Sequence, residues 1–246
     1  MYEWKWSVLW ATSGDGVSTY IGTLFSGLRW TLAVGLSAWV IALALGCLVG
    51  IARTFKTGLW ARLADVYVEI LRSIPLIVQM FIWFYIVPDL LSTEVADMIK
   101  AWDRYNVAAA ILCLAFFTSA RIAEQVRAGI QAIPTGQWYA GRALGMQTAQ
   151  LYRYILIPVG VRKILPALTN EFVNIIKNTS VAFTIAVVEL MAATRSMQEM
   201  TFQVFEAFTT ATLIYLTANL LIVKLMNYIE GRLEVPGFSI RQSRKS

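Results

Sequence analysis

Several stretches of this chain stay apolar long enough to cross a lipid bilayer, which rules out most soluble folds. A helix that spans the hydrocarbon core takes about 20 consecutive apolar residues. Leu28 to Ile51 meets that length, with Arg29 at its edge and only small hydroxyls within. Four further runs qualify, giving predicted spans at 28–51, 66–87, 106–125, 164–193 and 205–229. Pro75 lies inside the second, Pro88 closes it, and the fourth is interrupted by KNTS at 177–180. The 246 residues are 58% hydrophobic and 15% charged, where a soluble domain carries roughly a quarter charged residues. The net charge of +6 is spread over short gaps between apolar runs, the pattern of lipid-flanking loops rather than of a nucleic-acid surface.

Those gaps orient the spans. Arg53, Lys56, Arg62 and Arg72 follow the first run, and Arg127, Arg142, Arg153, Arg162 and Lys163 follow the third. Arg232, Arg241, Arg244 and Lys245 lie in the tail. Residues 89–104 instead carry Asp89, Glu94, Asp97 and Asp103 against Lys100 and Arg104, and residues 194–204 offer Arg195 as their one basic group. The positive-inside bias therefore predicts an outer amino terminus, an inner carboxyl terminus and an odd number of spans. The expected fold is an all-α polytopic membrane protein of five transmembrane helices, one domain over 1–246.

Several chemistries drop out. The chain has no histidine, which removes the usual general base, histidine-ligated haem and most zinc sites. Cys47 and Cys113 each sit inside an apolar run, as packed thiols do. The first twenty residues lack a basic segment followed by an apolar one, so no cleaved signal peptide is expected. Trp4, Trp6 and Trp10 suit a segment at the membrane interface.

Residues 126–163 form the largest polar stretch between spans. Pro134 is suited to starting a helix, Ala140, Ala143 and Leu144 share one helical face, and Gly145 permits a stop. A second short helix is expected from Thr148 to Ile157. On physical grounds this segment either lies on the membrane surface or docks a partner.

Particular spacings within the chain are more specific. Tyr139-Ala140-Gly141 is followed by three residues, Gly145, nine residues and Ile155-Leu156-Ile157-Pro158. This resembles the cytoplasmic EAA–Gly–IxLP loop of binding-protein-dependent ABC importer permeases, departing at Tyr139, Gly141 and Ile157. LRSIPLIVQ at 71–79, EQVRAGIQAIPTGQ at 124–137 and LIPVGVRKILPALTNEFVNIIKNTSV at 156–181 resemble signatures of the polar amino acid subgroup. SARIAEQVRA resembles in particular the permease subunits of glutamate/aspartate importers.

The resemblance implies a type I ABC importer permease fold in the bacterial inner membrane. Its partners would be a second permease subunit (a paralogue or another copy), a dimer of ATPase subunits and a periplasmic substrate-binding protein. The loop 134–158 would be the coupling helix, with Tyr139, Ala140, Gly141, Ala143, Leu144, Gly145, Met146 and Pro158 seated on the ATPase. Its small residues would allow close backbone approach, while Leu144 and Met146 fill an apolar cleft. The chain has no G-x-x-x-x-G-K-[ST] loop. ATP and Mg would thus be bound by the partner, leaving this chain a translocation subunit with no enzymatic activity or cofactor of its own.

Ionisable groups inside a span are functional candidates. In LAFFTSARIAEQVRAGI at 114–130, Arg121, Glu124 and Arg127 recur at three-residue intervals. Glu124 and Arg127 are expected to form a structural ion pair along the helix. One carboxylate cannot neutralise two guanidinium groups, and the wider subgroup commonly carries an aromatic residue at the position of Arg121. A guanidinium fork suits a carboxylate, so Arg121 is expected to receive a carboxylate of an acidic amino acid, with Thr118 and Ser119 as hydroxyl donors. The competing expectation is a snorkelling Arg121 paired with Glu124 or lipid phosphate. Lys177, Asn178, Thr179 and Ser180 either form an unwound section lining a cavity or hydrogen-bond between helices. Asn170, Glu171 and Asn174 lie on the approach, and Glu189 lies near the outer end. A self-sufficient secondary transporter or channel is the alternative; it should show inverted repeats or more spans.

Overall fold

The computed structural model describes residues 2–55 and 58–233. Lys56 of the first basic gap, and Arg241, Arg244 and Lys245 of the tail, lie outside them. Helix α1 (Tyr20–Ala52) starts where the Thr19 Oγ1 accepts the Gly22 amide. It begins well before the predicted Leu28 because its first turns are packed, with Tyr20 and Leu24 buried against Leu190, Met197 and Ala207. Apolar run length sees lipid-facing surface, whereas this extension is held by protein contacts.

The predicted single span 66–87 is corrected to two helices. Helix α2 (Leu59–Ser73) meets α3 (Leu76–Phe81), which runs on through a wide turn at Ile82–Ile86, at 104°. Pro75 disfavours the helical conformation for its predecessor, and Ile74 is extended at φ −99 and ψ 128. The freed carbonyls do not go unpaired. Gln79 Nε2 donates to Leu71 O at 2.7 Å and to Ile74 O at 3.0 Å, which fixes the corner. Helix α4 (Thr93–Lys100) covers the acidic gap, with Lys100 donating to Asp89.

Helix α5 (Tyr105–Gln131) is central and packs against α1, α2, α3 and the later helix that starts at Ile157. Its contact with α1 is close because Gly46 and Gly50 face Ile122 and Val126 without an intervening side chain. After α5 come α6 (Thr135–Ala143), the single turn α7 (Thr148–Leu151), a wide turn at Tyr152–Leu156 and α8 (Ile157–Asn178). The Trp39 and Phe172 rings, 4.7 Å apart, stack between α1 and α8.

The predicted span 164–193 also breaks. At Thr179 the helix tightens into a 3-10 segment, Thr179–Ile185, and Ala186 is left-handed at φ 60. The chain then restarts as α9 (Leu190–Thr201), 54° away. Hydroxyls promote the change: Thr179 Oγ1 donates to Ile176 O and Ser180 Oγ to Lys177 O, each at 2.7 Å, competing with regular helical bonding. Helix α10 (Val204–Leu233) closes the bundle. Among the described residues three helices, α1, α5 and α10, are each long and apolar enough to cross a membrane; the count is up to five if each bent pair is one span.

Candidate functional site

Charged side chains gather at one end of the bundle. Arg53 follows α1, Asp65, Glu69 and Arg72 project from α2, and Glu124 and Arg127 from α5, around a cleft of about 580 Å³. Arg53 is the keystone, with its side chain only 8% exposed. Its Nε donates to Asp65 Oδ1 at 2.7 Å and its Nη1 to Glu124 Oε2 at 2.6 Å. Arg72 reaches the same Glu124 oxygen at 3.3 Å, and Arg127 lies 3.6 Å from Asp65. The expected Glu124–Arg127 pair is therefore corrected. Each residue finds its counter-ion on α2 or beside it, because three basic groups from three elements converge on two carboxylates.

Arg121 likewise does not pair with Glu124, the acid its own helix offers, but with Glu171. Its Nε donates to Glu171 Oε2 at 2.8 Å and its Nη2 to Glu171 Oε1 at 3.2 Å. Gln125 Nε2 adds a third donor to Glu171 Oε1 at 3.0 Å. The pair is asymmetric: Glu171 is 7% exposed, whereas Arg121 is 44% exposed. Glu171 grips the guanidinium side-on. The end-on fork, formed by Nη1 and the remaining N–H of Nη2, has no protein partner among the described residues. Charge is balanced at this point while donor capacity is not.

The face of α8 beside this pair is polar. Asn170 and Lys177 are exposed and Asn174 half-buried, at spacings of four and three that place them on one side of the helix. Lys177 forms no ion pair among the described residues. Of the other predicted site residues, Thr118 and Thr179 are buried, and Asn178 and Ser180 are partly so. Ser119 is buried and committed: its hydroxyl bonds Phe116 O at 2.7 Å and the Tyr67 hydroxyl at 2.6 Å. The expected placement of Ser119 as a ligand donor beside Arg121 is thus corrected, as it faces α2.

The polar loop folds as the residues dictate. Helix α6 ends at Ala143, and Gly145 takes φ +77, a left-handed conformation that glycine adopts without the steric cost of a Cβ. Tyr139, Ala140, Ala143, Leu144 and Gly145 are exposed together, Leu144 to 82%. Gly141 and Met146 differ from expectation. A Cβ on Gly141 would lie 2.3 Å from Leu151 Cδ2 and 3.4 Å from Met146 Sδ, so both residues pack inward under α6. Pro158 is half-buried in the first turn of α8.

Residues 42–235 match the family described as the binding-protein-dependent transport system inner membrane component. The chain belongs to that family. It is 37% identical over 238 residues to the glutamate/aspartate import permease protein GltJ of Escherichia coli K12, covering 96% of this chain and 97% of that one. It is 32% identical over 222 residues to the probable glutamine ABC transporter permease protein GlnM of Bacillus subtilis 168, covering 89% and 95%. Among solved structures, a crystal structure of an amino acid ABC transporter with histidines superposes with a TM-score of 0.74 at 30% identity, covering 87% of this chain and 95% of that one. Members of the family are membrane components, and ATP hydrolysis belongs to a separate subunit.

Sequence reasoning named Glu189 without its partners and missed Glu206. Glu189 is buried at the start of α9, accepting from Ala192 N and Tyr215 Oη at 2.9 Å and from Thr31 Oγ1 at 3.3 Å. It therefore bolts α1, α9 and α10 together. Glu206 accepts from the Tyr2 hydroxyl at 2.5 Å and the Lys5 amide at 2.6 Å, tying the amino-terminal segment to α10. Each is a lone acid inside or beside an apolar run, a signal that some donor must reach it.

Proposed function

We propose that this chain is the permease subunit of an ATP-driven amino acid importer and that its substrate is acidic, glutamate or aspartate. The observation that carries the substrate class is Arg121. Its end-on fork is open on a polar face of the bundle, and the carboxylate that balances it is too buried to be exposed there. A second cation, Lys177, stands exposed on the same region of α8. Two in-span cations with donors to spare favour an anion with two carboxylates over a neutral or basic amino acid. The 37% identity to GltJ supports the same class, while the likeness to GlnM marks the amide amino acids as the competing one.

In this reading the charged cleft around Arg53 lies on the cytoplasmic side, where the positive-inside bias puts the basic gaps. The exposed surface of α6, centred on Tyr139 and Leu144, seats on a partner ATPase that binds ATP and Mg. A second permease subunit covers the polar face of α5 and α8, which would otherwise meet lipid, and a binding protein delivers substrate from outside. ATP-driven movement of α6 passes to the spans through α7 and α8, a short rigid connection. Replacing Arg121 by Met in the assembled complex tests the substrate class. Glutamate uptake should fall about a hundredfold; undiminished glutamate uptake would refute it.

A further inference from the structure

Helix α6 follows α5 and leads through α7 into α8, so the chain itself carries its movement to those spans. It adjoins neither α1 nor α2, which it can move only through contacts. The segment 134–156 offers few of them. Among the described residues, one side-chain hydrogen bond joins it to the rest of the protein: the Tyr152 hydroxyl meets Thr54 Oγ1 at 2.8 Å, just past the end of α1. Arg142 and Arg153, the two cations of the segment, form no ion pair among the described residues.

Chemistry fixes the direction of this bond. The Thr54 hydroxyl has a single hydrogen and donates it to Ile51 O at 2.6 Å, so Tyr152 is the donor. Two edge-on aromatic contacts hold the Tyr152 ring, with Phe55 at 5.6 Å and with Trp138 of α6 at 6.2 Å between centroids. Leu151, the residue before it, occupies the space that Gly141 leaves under α6. Tyr152 also opens the wide turn Tyr152–Leu156 between α7 and α8, and widenings of this kind occur frequently at functional sites. On the other side of the bond, Thr54 directly follows Arg53, whose guanidinium grips Asp65 on α2 and Glu124 on α5. Tyr152 therefore touches α6 at one edge and pulls, at the other, one residue from the point where α1, α2 and α5 are pinned together.

We infer that Tyr152 is a positioning residue for transport, a strut that carries the movement of α6 to Thr54 and, through the adjoining Arg53, to α2. This rests on the reading that α6 seats on the ATPase, and it adds a branch to the path through α7 and α8. With the strut in place, α1 and α2 move together with α5 and α8. Without it, α6 still drives α5 and α8 while the other two helices lag, so ATP is spent on an incomplete movement.

The test compares basal ATP turnover of the reconstituted complex with its stimulation by the binding protein, loaded with glutamate or with glutamine in separate runs. Tyr152→Phe removes the donor and keeps the ring, and Thr54→Val removes the acceptor and keeps the shape. Each should retain the ATPase subunit and the basal turnover, yet lower the stimulation and the uptake about fivefold, the factor that one neutral hydrogen bond is worth. The two changes break the same contact, so the double variant should lose no more than either single one. Thr54→Ser keeps the hydroxyl and should behave as wild type. Unchanged stimulation in the single variants overturns the strut, as does a double variant that loses the product of the two factors. It is equally overturned if Thr54→Ser behaves like Thr54→Val, or if basal turnover or the bound ATPase falls in step with the stimulation, the mark of a merely structural contact. A wild-type complex that neither loaded form stimulates refutes the importer reading itself, whatever the variants do.

Discussion

Gly46 is where the packing of the bundle can be tested most severely. A Cβ at this position would lie 2.6 Å from Ile122 Cβ, 2.7 Å from Ile122 Cγ2 and 2.9 Å from the Ser119 carbonyl oxygen. Carbon atoms in contact prefer about 3.5–4.0 Å, so α1 and α5 must part by about 1 Å to admit a methyl group. Overpacking of this kind destabilises by about 1–3 kcal/mol. The upper part of that range applies because a Cβ and a backbone oxygen cannot rotate away. For a chain of this size the melting temperature of Gly46→Ala should fall by roughly 5–10 °C, read by scanning fluorimetry on the purified complex. Adding Ile122→Ala should not rescue it, since truncation removes Cγ2 but leaves the Cβ and the Ser119 carbonyl in place. Gly231→Ala is the control: nothing lies within 4 Å of its Cβ, and alanine is the better helix former. A Gly46→Ala protein as stable as the control would refute the close approach of α1 to α5.

The charged cleft and the loop make separable predictions. Arg53→Gln should destabilise by about 2 kcal/mol because a nearly buried cation serving two carboxylates is lost. Arg72→Gln, at a 53% exposed side chain, should lose less than about 1 kcal/mol; equal losses in the two melting curves would contradict the assignment of Arg53 as keystone. Leu144→Glu changes a residue that is 82% exposed. It should change the stability of the permease by less than about 0.5 kcal/mol while abolishing co-purification of the ATPase subunit. Retention of the ATPase would move the docking surface away from α6.

The parts of this molecule set by local chemistry could be read from the chain alone. Run length located α1, α5 and α10, and the glycine after α6 marked its stop at Gly145. Pro75 was visible inside the second run, which was nonetheless read as one continuous span, and the corner there was not foreseen. The 104° corner depends on Gln79 reaching back to the Leu71 and Ile74 carbonyls, a contact that hydropathy cannot register. KNTS was visible as an interruption, and the hydroxyl bonds of Thr179 and Ser180 supply its mechanism.

Long-range pairing was less legible. Sequence spacing offers Arg121 and Arg127 only Glu124, the acid three residues away on the same helix. Their partners, Glu171 and Asp65, are separated from them by fifty and sixty-two positions and are chosen by how α8 and α2 dock on α5. The acids of the docking helices, Glu171 on α8 and Asp65 and Glu69 on α2, were the available hint. Likewise Gly141 looked like a site of close approach by a partner, when its missing Cβ makes room for Leu151 of the same chain. Small residues announce close contact without naming what comes close.

The measurement that bears most directly on the account is uptake of labelled glutamate by the reconstituted complex, wild type against Arg121→Met, with an amide amino acid measured in parallel. Two charge-assisted hydrogen bonds to the open fork are lost in the variant, each worth about 1.5 kcal/mol or more, so glutamate uptake at limiting concentration should drop about a hundredfold. The amide substrate should lose far less, shifting the preference toward it. Glutamate uptake that survives in Arg121→Met, or falls in step with the amide, would contradict a substrate carboxylate at Arg121.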